Sequence, residues 1–248
     1  MQNAINTKNP VIQELVKAFT KETVTTTSEI KDEYDFITNN FEGFGSWDIR
    51  FKRIFTTALQ NDLVVLVRKR GNWKFVVVLD EKTNDLFVFT KKNNIESVIK
   101  KFGKGSIHYF HAFVGLNKEI VLGDFQMEIF QKTTDDYENR RIEELRKILG
   151  EDYPRVNQVI FIVAEEKNKK IINAEAILYN KFFIELEKTN LYEYIDEEQY
   201  SELFVEEESY NDEETLVIPK VKEEIKRSVS TDTIPKEKII EQLDEYEE

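Results

Sequence analysis

The sequence predicts an α+β protein with a helical N-terminal region, a central mixed or antiparallel sheet, a second hairpin and an acidic C-terminal tail. The central elements are expected in the order helix, three strands, helix, strand. The first supporting observation is a dense run of β-branched and aromatic residues between Asp62 and Lys91. The second is a switch to helical spacing just after it, and the third is a strongly polarised charge distribution.

The first helix is expected to start after Asn9-Pro10, because asparagine caps a helix and proline suits its first position. Val11, Ile12, Leu15, Val16 and Phe19 give it an apolar face. The run Thr23 to Ser28 interrupts the pattern. A second helix is expected from Ser28 through Asn39, with Ile30, Tyr34 and Ile37 inward and Gly43 and Gly45 closing it. A third spans Trp47 to Leu59, with Trp47, Phe51, Ile54, Phe55 and Ala58 on one face and Arg50, Lys52 and Arg53 on or near another.

Asp62 to Lys69 and Trp73 to Asp80 read as strands joined through Arg70-Gly71-Asn72, where glycine reaches positive φ without steric penalty. Asp85 to Lys91 completes a three-strand antiparallel meander. Ile95, Val98, Ile99 and Phe102 then share one helical face, ended by Gly103 and Gly105. Ile107 to Val114 is expected as a further strand, its two histidines, His108 and His111, on opposite faces. Phe125 to Phe130 reads as a short strand or a helical turn. Asp135 to Leu149 is a charged helix with an apolar stripe of Tyr137, Ile142, Leu145 and Leu149, expected to lie over one face of a sheet. Val156 to Ala164 returns as a strand. Ile171 to Tyr179 and Phe182 to Leu186 form a hairpin through Asn180-Lys181, expected to join the first meander or to make its own sheet.

Charge divides the chain at about Leu191. Residues 191–248 carry 20 acidic and 6 basic residues, whereas residues 1–190 carry 28 acidic and 29 basic. Within that near-neutral body, Arg50 to Lys104 has 13 basic against 5 acidic residues. One globular domain over residues 1–190 is expected, followed by a largely flexible tail over residues 191–248. Two apolar islands interrupt the tail: Leu216 to Val221, and a stripe of Ile239, Ile240, Leu243 and Tyr246 of the kind that docks on a partner. The absence of cysteine excludes disulfides, thiolate metal sites and a cysteine nucleophile. No leader or membrane-spanning stretch is visible, so a cytoplasmic, membrane-free setting is expected.

Several residues invite a chemical reading. The order helix, three strands, helix, strand from Trp47 to Val114 resembles the core of the restriction-endonuclease-like (PD-(D/E)xK) nucleases. That resemblance implies an acidic residue on the second strand and Glu-x-Lys on the third, together binding a divalent metal. Asp80, Asp85 and Lys91 are the residues nearest those roles, although Phe89 stands two before Lys91, where a carboxylate is needed. The basic centre, Arg68, Lys69, Arg70, Lys74, Lys91, Lys92, Lys100 and Lys101, with Trp73 as a stacking surface, is a candidate nucleic-acid face. His108 or His111 could act as a general base, but a hydrogen-bonded structural role is the commoner one. Nucleotide-loop, nucleophile-elbow and zincin motifs are absent.

The segments GNWKFVVVLDEKTNDLFVF, IHYFHAFVGLN and NAEAILYN resemble an uncharacterised family of low-GC Gram-positive bacteria and their phages. The resemblance supplies no chemistry and implies a mobile-element or host-conflict setting. The function expected from the sequence is therefore a non-catalytic binding or regulatory protein that contacts a protein or nucleic-acid partner, with a phage or prophage origin as the setting the resemblance implies. It needs no cofactor; a diverged metal-dependent nuclease is the alternative.

Overall fold

A computed structural model describes residue 5, residues 9–117 and residues 134–195. Three helices open the chain: α1 (Pro10–Thr20), α2 (Val24–Glu33) and α3 (Asn40–Gln60). The meander β1 (Val64–Arg70), β2 (Trp73–Asp80) and β3 (Asp85–Lys91) follows, then α4 (Lys92–Ile99) and α5 (Tyr109–Phe113). A long helix, α6 (Asp135–Leu149), leads to β4 (Gln158–Lys167), β5 (Lys170–Tyr179) and β6 (Glu185–Asn190). The strands form one six-stranded sheet in sequence order. All neighbours are antiparallel except β3 and β4, which run parallel with Asp85 opposite Gln158 and Lys91 opposite Ala164. The second meander thus joins the first.

A parallel pair needs a crossover, and here α4, α5 and α6 lie within it. Strand alternation puts Phe75 and Phe161 on one face of the sheet and Phe89 on the other. Helix α5 covers the first face, with Tyr109 stacked on Phe75 at 4.3 Å and Phe110 edge-on to Phe161 at 5.3 Å. Helices α1 and α3 cover the second, where Phe19 of α1 meets Phe89 at 5.4 Å and Trp47 of α3 at 6.1 Å. The sheet is therefore the middle of three layers. Among the described residues no helix is long and apolar enough to cross a membrane.

Most elements form where their sequences ask for them. The Asn9 side chain accepts from the Val11 N–H at 3.1 Å and caps α1. Gly71 takes φ +58° in the two-residue turn between β1 and β2, as the tight reversal requires. Several expectations are corrected, among them the last strand, expected at Phe182 to Leu186 and found at Glu185–Asn190. Ile107 to Val114 is not a strand: residues 109–113 are helical and buried on every side, so apolar spacing carries no period to read. The strand that follows the helix of the crossover is β4. Helix α2 begins at Val24 rather than Ser28 and stops before Tyr34, which is exposed, as is Ile37 at 99%. Gly43 and Gly45 lie inside α3, which starts at Asn40, and the ring of Phe41 occupies the space beside Gly45. Arg50 points into the interior at 0% exposure, and Ile142 is 40% exposed while Arg141 and Ile148 take the inner face of α6. The stretches at Phe125–Phe130 and Leu216–Val221, and the tail residues Ile239, Ile240, Leu243 and Tyr246, lie outside the described residues. Leu191 and Ile195 are buried against the body, with the Leu191 N–H bonded to the Ala174 carbonyl at 2.8 Å.

Arg141 ties the crossover to the far hairpin. Its guanidinium donates to the His111 carbonyl at 2.7 Å, to the Lys181 carbonyl at 3.0 Å and to Glu138 at 2.9 Å, and lies over the Phe102 ring at 5.0 Å. Replacing it by alanine removes a donor from the buried His111 carbonyl and from the part-buried Lys181 carbonyl, and takes a partner cation from Glu138. Arg141→Ala is expected to lower stability by about 3–5 kcal/mol, read as a fall in the urea midpoint at unchanged slope.

Candidate functional site

At the end of the sheet where the β1–β2 turn meets the end of β3, the two helical layers part and leave a cleft of about 360 Å³. Helix α3 supplies Trp47 and Phe51, the hairpin Arg70 and Trp73, and β3 Phe89 and Lys91. Asn94 of α4 and His108 and Tyr109 at the start of α5 close the other side. Both tryptophans of the chain line this one cleft.

The aromatic walls are held from behind. Trp47 and Trp73 meet nearly at right angles, 6.3 Å between ring centroids, and Phe51 packs on Trp47 at 5.2 Å and on Trp73 at 6.2 Å. The Trp73 indole N–H donates to the Tyr109 hydroxyl, and burial pushes that phenol's pKa up, so it stays neutral. Phe44, 65% exposed, extends the aromatic surface outward at 6.3 Å from Trp73. One turn earlier on α3, Phe41 meets Phe36 at 5.4 Å, and Phe36 in turn stacks on Tyr34 at 5.9 Å. A run of aromatic rings thus leads away from the cleft along the α2–α3 connection.

The cations are partly neutralised. Lys91 lies 5.9 Å from the centre of the Trp47 ring and forms an ion pair with Glu166. Arg70 pairs with Glu144 at 3.1 Å and donates to the Ile107 carbonyl. Arg68 pairs with Asp152 at 2.5 Å and Lys92 with Glu165 at 2.8 Å. Lys69 and Lys74 are cross-strand neighbours, exposed and without an ion pair among the described residues; Lys100 and Lys101 at the end of α4 are likewise exposed and unpaired there. Of the sequence-predicted basic face, the fold brings Arg70, Trp73 and Lys91 into the cleft, sets Lys69 and Lys74 on the adjoining hairpin, and turns Arg68 and Lys92 to carboxylates.

Behind Lys91 sits an unusual group. Glu166 also receives the Arg50 guanidinium at 3.4 Å, and the Nε and Nη1 of that fully buried arginine have no hydrogen-bond partner. Lys91 lies opposite Ala164, so strand alternation sets Glu166 on the face of Lys91 and Glu165 on the other, where it meets Lys92 at the start of α4.

The histidines share one turn instead of opposing faces. The His108 Nδ1 caps α5 by accepting from the Phe110 N–H at 3.2 Å, and the His111 Nδ1 accepts from the His108 N–H at 3.2 Å. The His111 Nε2 lies 2.9 Å from the Val98 carbonyl, so it carries the proton, while the Tyr137 hydroxyl lies 2.8 Å from Nδ1. Burial above all, then the charge of Arg70, lowers the His108 pKa to about 3; burial lowers that of His111 as well. Both rings are neutral at physiological pH. His111 is fully used by the backbone, which leaves the Nε2–H of His108 as the donor the pair offers the cleft.

Asp80 and Asp85 face each other across the β2–β3 turn, and Lys91 stands at the opposite end of β3, about 20 Å along a strand. The three are not brought together. Asp80 accepts from the Lys82 N–H at 2.9 Å and so shapes the turn, while burial raises the pKa of Asp85. Among the described residues no group of three His, Asp or Glu side chains could hold a metal ion. A second, open groove of about 510 Å³ between α1 and α3 is lined by Glu14, Lys17, Lys21, Lys52 and Arg53; Arg53 is spent on the Lys21 and Glu22 carbonyls at the end of α1.

The sequence reading missed Trp47, Phe51, Asn94, Tyr109, Arg50 and Glu166 as parts of one site. Trp47 and Phe51 read as core, and Glu166 lies 75 residues from Lys91. The one available signal was the restriction of tryptophan to two positions flanking the basic centre.

The neutral histidines make stability depend on pH. Unfolded, each takes up a proton near the ordinary value of 6.5; folded, each resists, so the unfolded chain binds more protons below that value. Their contribution is complete above about pH 6.5 and is lost as pH falls toward about 3 for His108. The urea midpoint should drop between about pH 7.5 and 5, and drop less in His108→Asn, which keeps a capping acceptor without the titrating ring.

Compared with known proteins, the chain matches the model of a family of unknown function (DUF5986) over residues 4–240. No curated protein and no solved structure matches it.

Proposed function

The chain belongs to that family of unknown function, and from its cleft we propose that it acts by binding, taking an unpaired nucleobase and its phosphate between the two tryptophans and the flanking cations. The observation that carries this reading is the convergence of Trp47, Phe51, Trp73 and Tyr109 with Arg70 and Lys91 on one cleft. Its volume of about 360 Å³ is within the range of small-ligand sites, roughly 300–1,000 Å³. Flat rings accept any base by stacking, worth about 1–3 kcal/mol each. The His108 Nε2–H and the Asn94 amide offer hydrogen bonds to the edge of the base, and Arg70 and Lys91 offer charge to phosphate.

A strand is favoured over a free nucleotide by what surrounds the cleft. Phe44 and the rings of Phe36 and Phe41 give later bases further stacking surfaces, and Lys69 and Lys74, without an ion pair among the described residues, lie on the adjoining hairpin. A duplex keeps its bases stacked on one another and offers nothing to these rings. The setting that goes with this reading is a mobile-element one, phage or prophage, as the resemblance of GNWKFVVVLDEKTNDLFVF and IHYFHAFVGLN suggests.

The two tryptophans make the test direct, because intrinsic fluorescence reports the cleft alone. A single-stranded DNA or RNA oligomer of about ten nucleotides should quench it with a salt-dependent affinity, its slope close to −0.7 per phosphate contacted. A duplex of the same length and AMP should both bind more weakly. Trp73→Ala should weaken oligomer binding by about tenfold or more, measured by anisotropy of a labelled strand. Equal affinity of wild type and Trp73→Ala, or preference for duplex, overturns the proposal.

A further inference from the structure

The geometry points to Glu166 as an internal stand-in for the phosphate of the ligand: it holds Lys91 and Arg50 while the cleft is empty and gives up Lys91 when the phosphate enters. This rests on the binding reading of the cleft and adds how its anion subsite is occupied and regulated.

Four observations lead there. Lys91 lines the cleft, yet its ammonium is engaged by Glu166. The same carboxylate is the only acid within ion-pair distance of Arg50 among the described residues, with Glu22 acting on it from farther away, which leaves two cations on one anion. Arg50 is fully buried with its Nε and Nη1 unpartnered, an arrangement that costs free energy as it stands and leaves donors for one more anion. Finally, Lys91 lies opposite Ala164 on the neighbouring strand, so regular alternation sends Glu166 to the face that carries Lys91 and Glu165 to the other.

A shared carboxylate of this kind has two consequences. It keeps both cations oriented in the absence of ligand, so that little side-chain ordering remains to be done on binding. It also competes with the ligand for Lys91, which sets a threshold on affinity and excludes weakly charged ligands. When phosphate takes Lys91, Glu166 retains Arg50 and stays neutralised, so no buried charge is stranded. Glu144 and Glu165 each hold a single cation among the described residues, Arg70 and Lys92, and Asp152 is shared by Arg68 and Arg155, neither of which lines the cleft.

The test uses the full chain and tryptophan fluorescence with a (dT) oligomer of about ten nucleotides and, separately, AMP. Glu166→Gln keeps one acceptor oxygen, which serves Arg50, and puts an amide NH2 in place of the oxygen that holds Lys91, removing the competing charge. It should tighten oligomer binding by about tenfold, the worth of one charge-assisted contact, and steepen the salt slope by about 0.7. In a Lys91→Gln background the same change should give no gain, because the cation it frees is gone. Glu166→Asp, which keeps the charge on Arg50 but shortens the reach toward Lys91, should fall between wild type and Glu166→Gln and serves if the glutamine variant folds poorly. Wild type and both Glu166 variants binding the oligomer with equal affinity and slope overturns the role of Glu166 while leaving the cleft as a binding site. No fluorescence response from any of them removes the cleft reading, and this inference with it.

Discussion

The parallel pairing of β3 with β4 is the contact on which the rest of the structure depends. It fuses two antiparallel meanders into one sheet, and because parallel neighbours cannot be joined by a tight turn it forces a long crossover. That crossover carries α4, α5 and α6, and α5 brings His108 and Tyr109 to the end of the sheet. The same pairing sets the end of β4 beside the end of β3, so that Glu165 and Glu166 reach Lys92 and Lys91. Without it there would be neither a second wall to the cleft nor a counter-charge inside it.

Around that frame the polar groups of the interior are distributed by use. Arg141 and His111 have their buried donors and acceptors matched to backbone groups and fix α5 against α6. Asn117 does the same for the sheet, its side chain accepting from the Val159 N–H at 2.6 Å and donating to the Val159 and Tyr179 carbonyls at 3.0 and 2.6 Å. Arg50 carries the largest mismatch among the described residues, with two guanidinium nitrogens unmatched at 0% exposure, beside single unmatched atoms on Arg68, Asn173 and Asn180. Buried polar groups left unmatched are uncommon, and this one stands one residue removed from a cleft that offers cations and aromatic faces.

Much of the fold was legible in the sequence. The β1–β2 and β5–β6 hairpins and helix α6 were visible because glycine, asparagine and charge periodicity act locally. What was not legible depended on tertiary context. A five-residue helix buried on all sides, such as residues 109–113, alternates well enough to pass for a strand. The start of α3 hides behind Gly43 and Gly45, residues that normally end helices, of which Gly45 here admits the Phe41 ring. The candidate site was legible in half: Arg70, Trp73 and Lys91 were named from composition, but charge counting along the chain overstated the basic face. Glu144, Asp152, Glu165 and Glu166 come from far away in sequence and neutralise Arg70, Arg68, Lys92 and Lys91. The resemblance to a metal-dependent nuclease rested on an order whose last strand, Ile107 to Val114, is helical, and Phe89, standing where a metal-binding carboxylate would be needed, lines an aromatic cleft.

The central claim is that the cleft between the two tryptophans is where the ligand sits. The most direct measurement is a ¹H–¹⁵N correlation spectrum, in which the indole N–H signals of Trp47 and Trp73 are the only two of their kind in the chain. Titration with a single-stranded oligomer should move both indole signals together with the backbone signals of Lys91 and Tyr109. Binding of the oligomer with both indole signals unmoved would contradict the account and place the interaction on another surface.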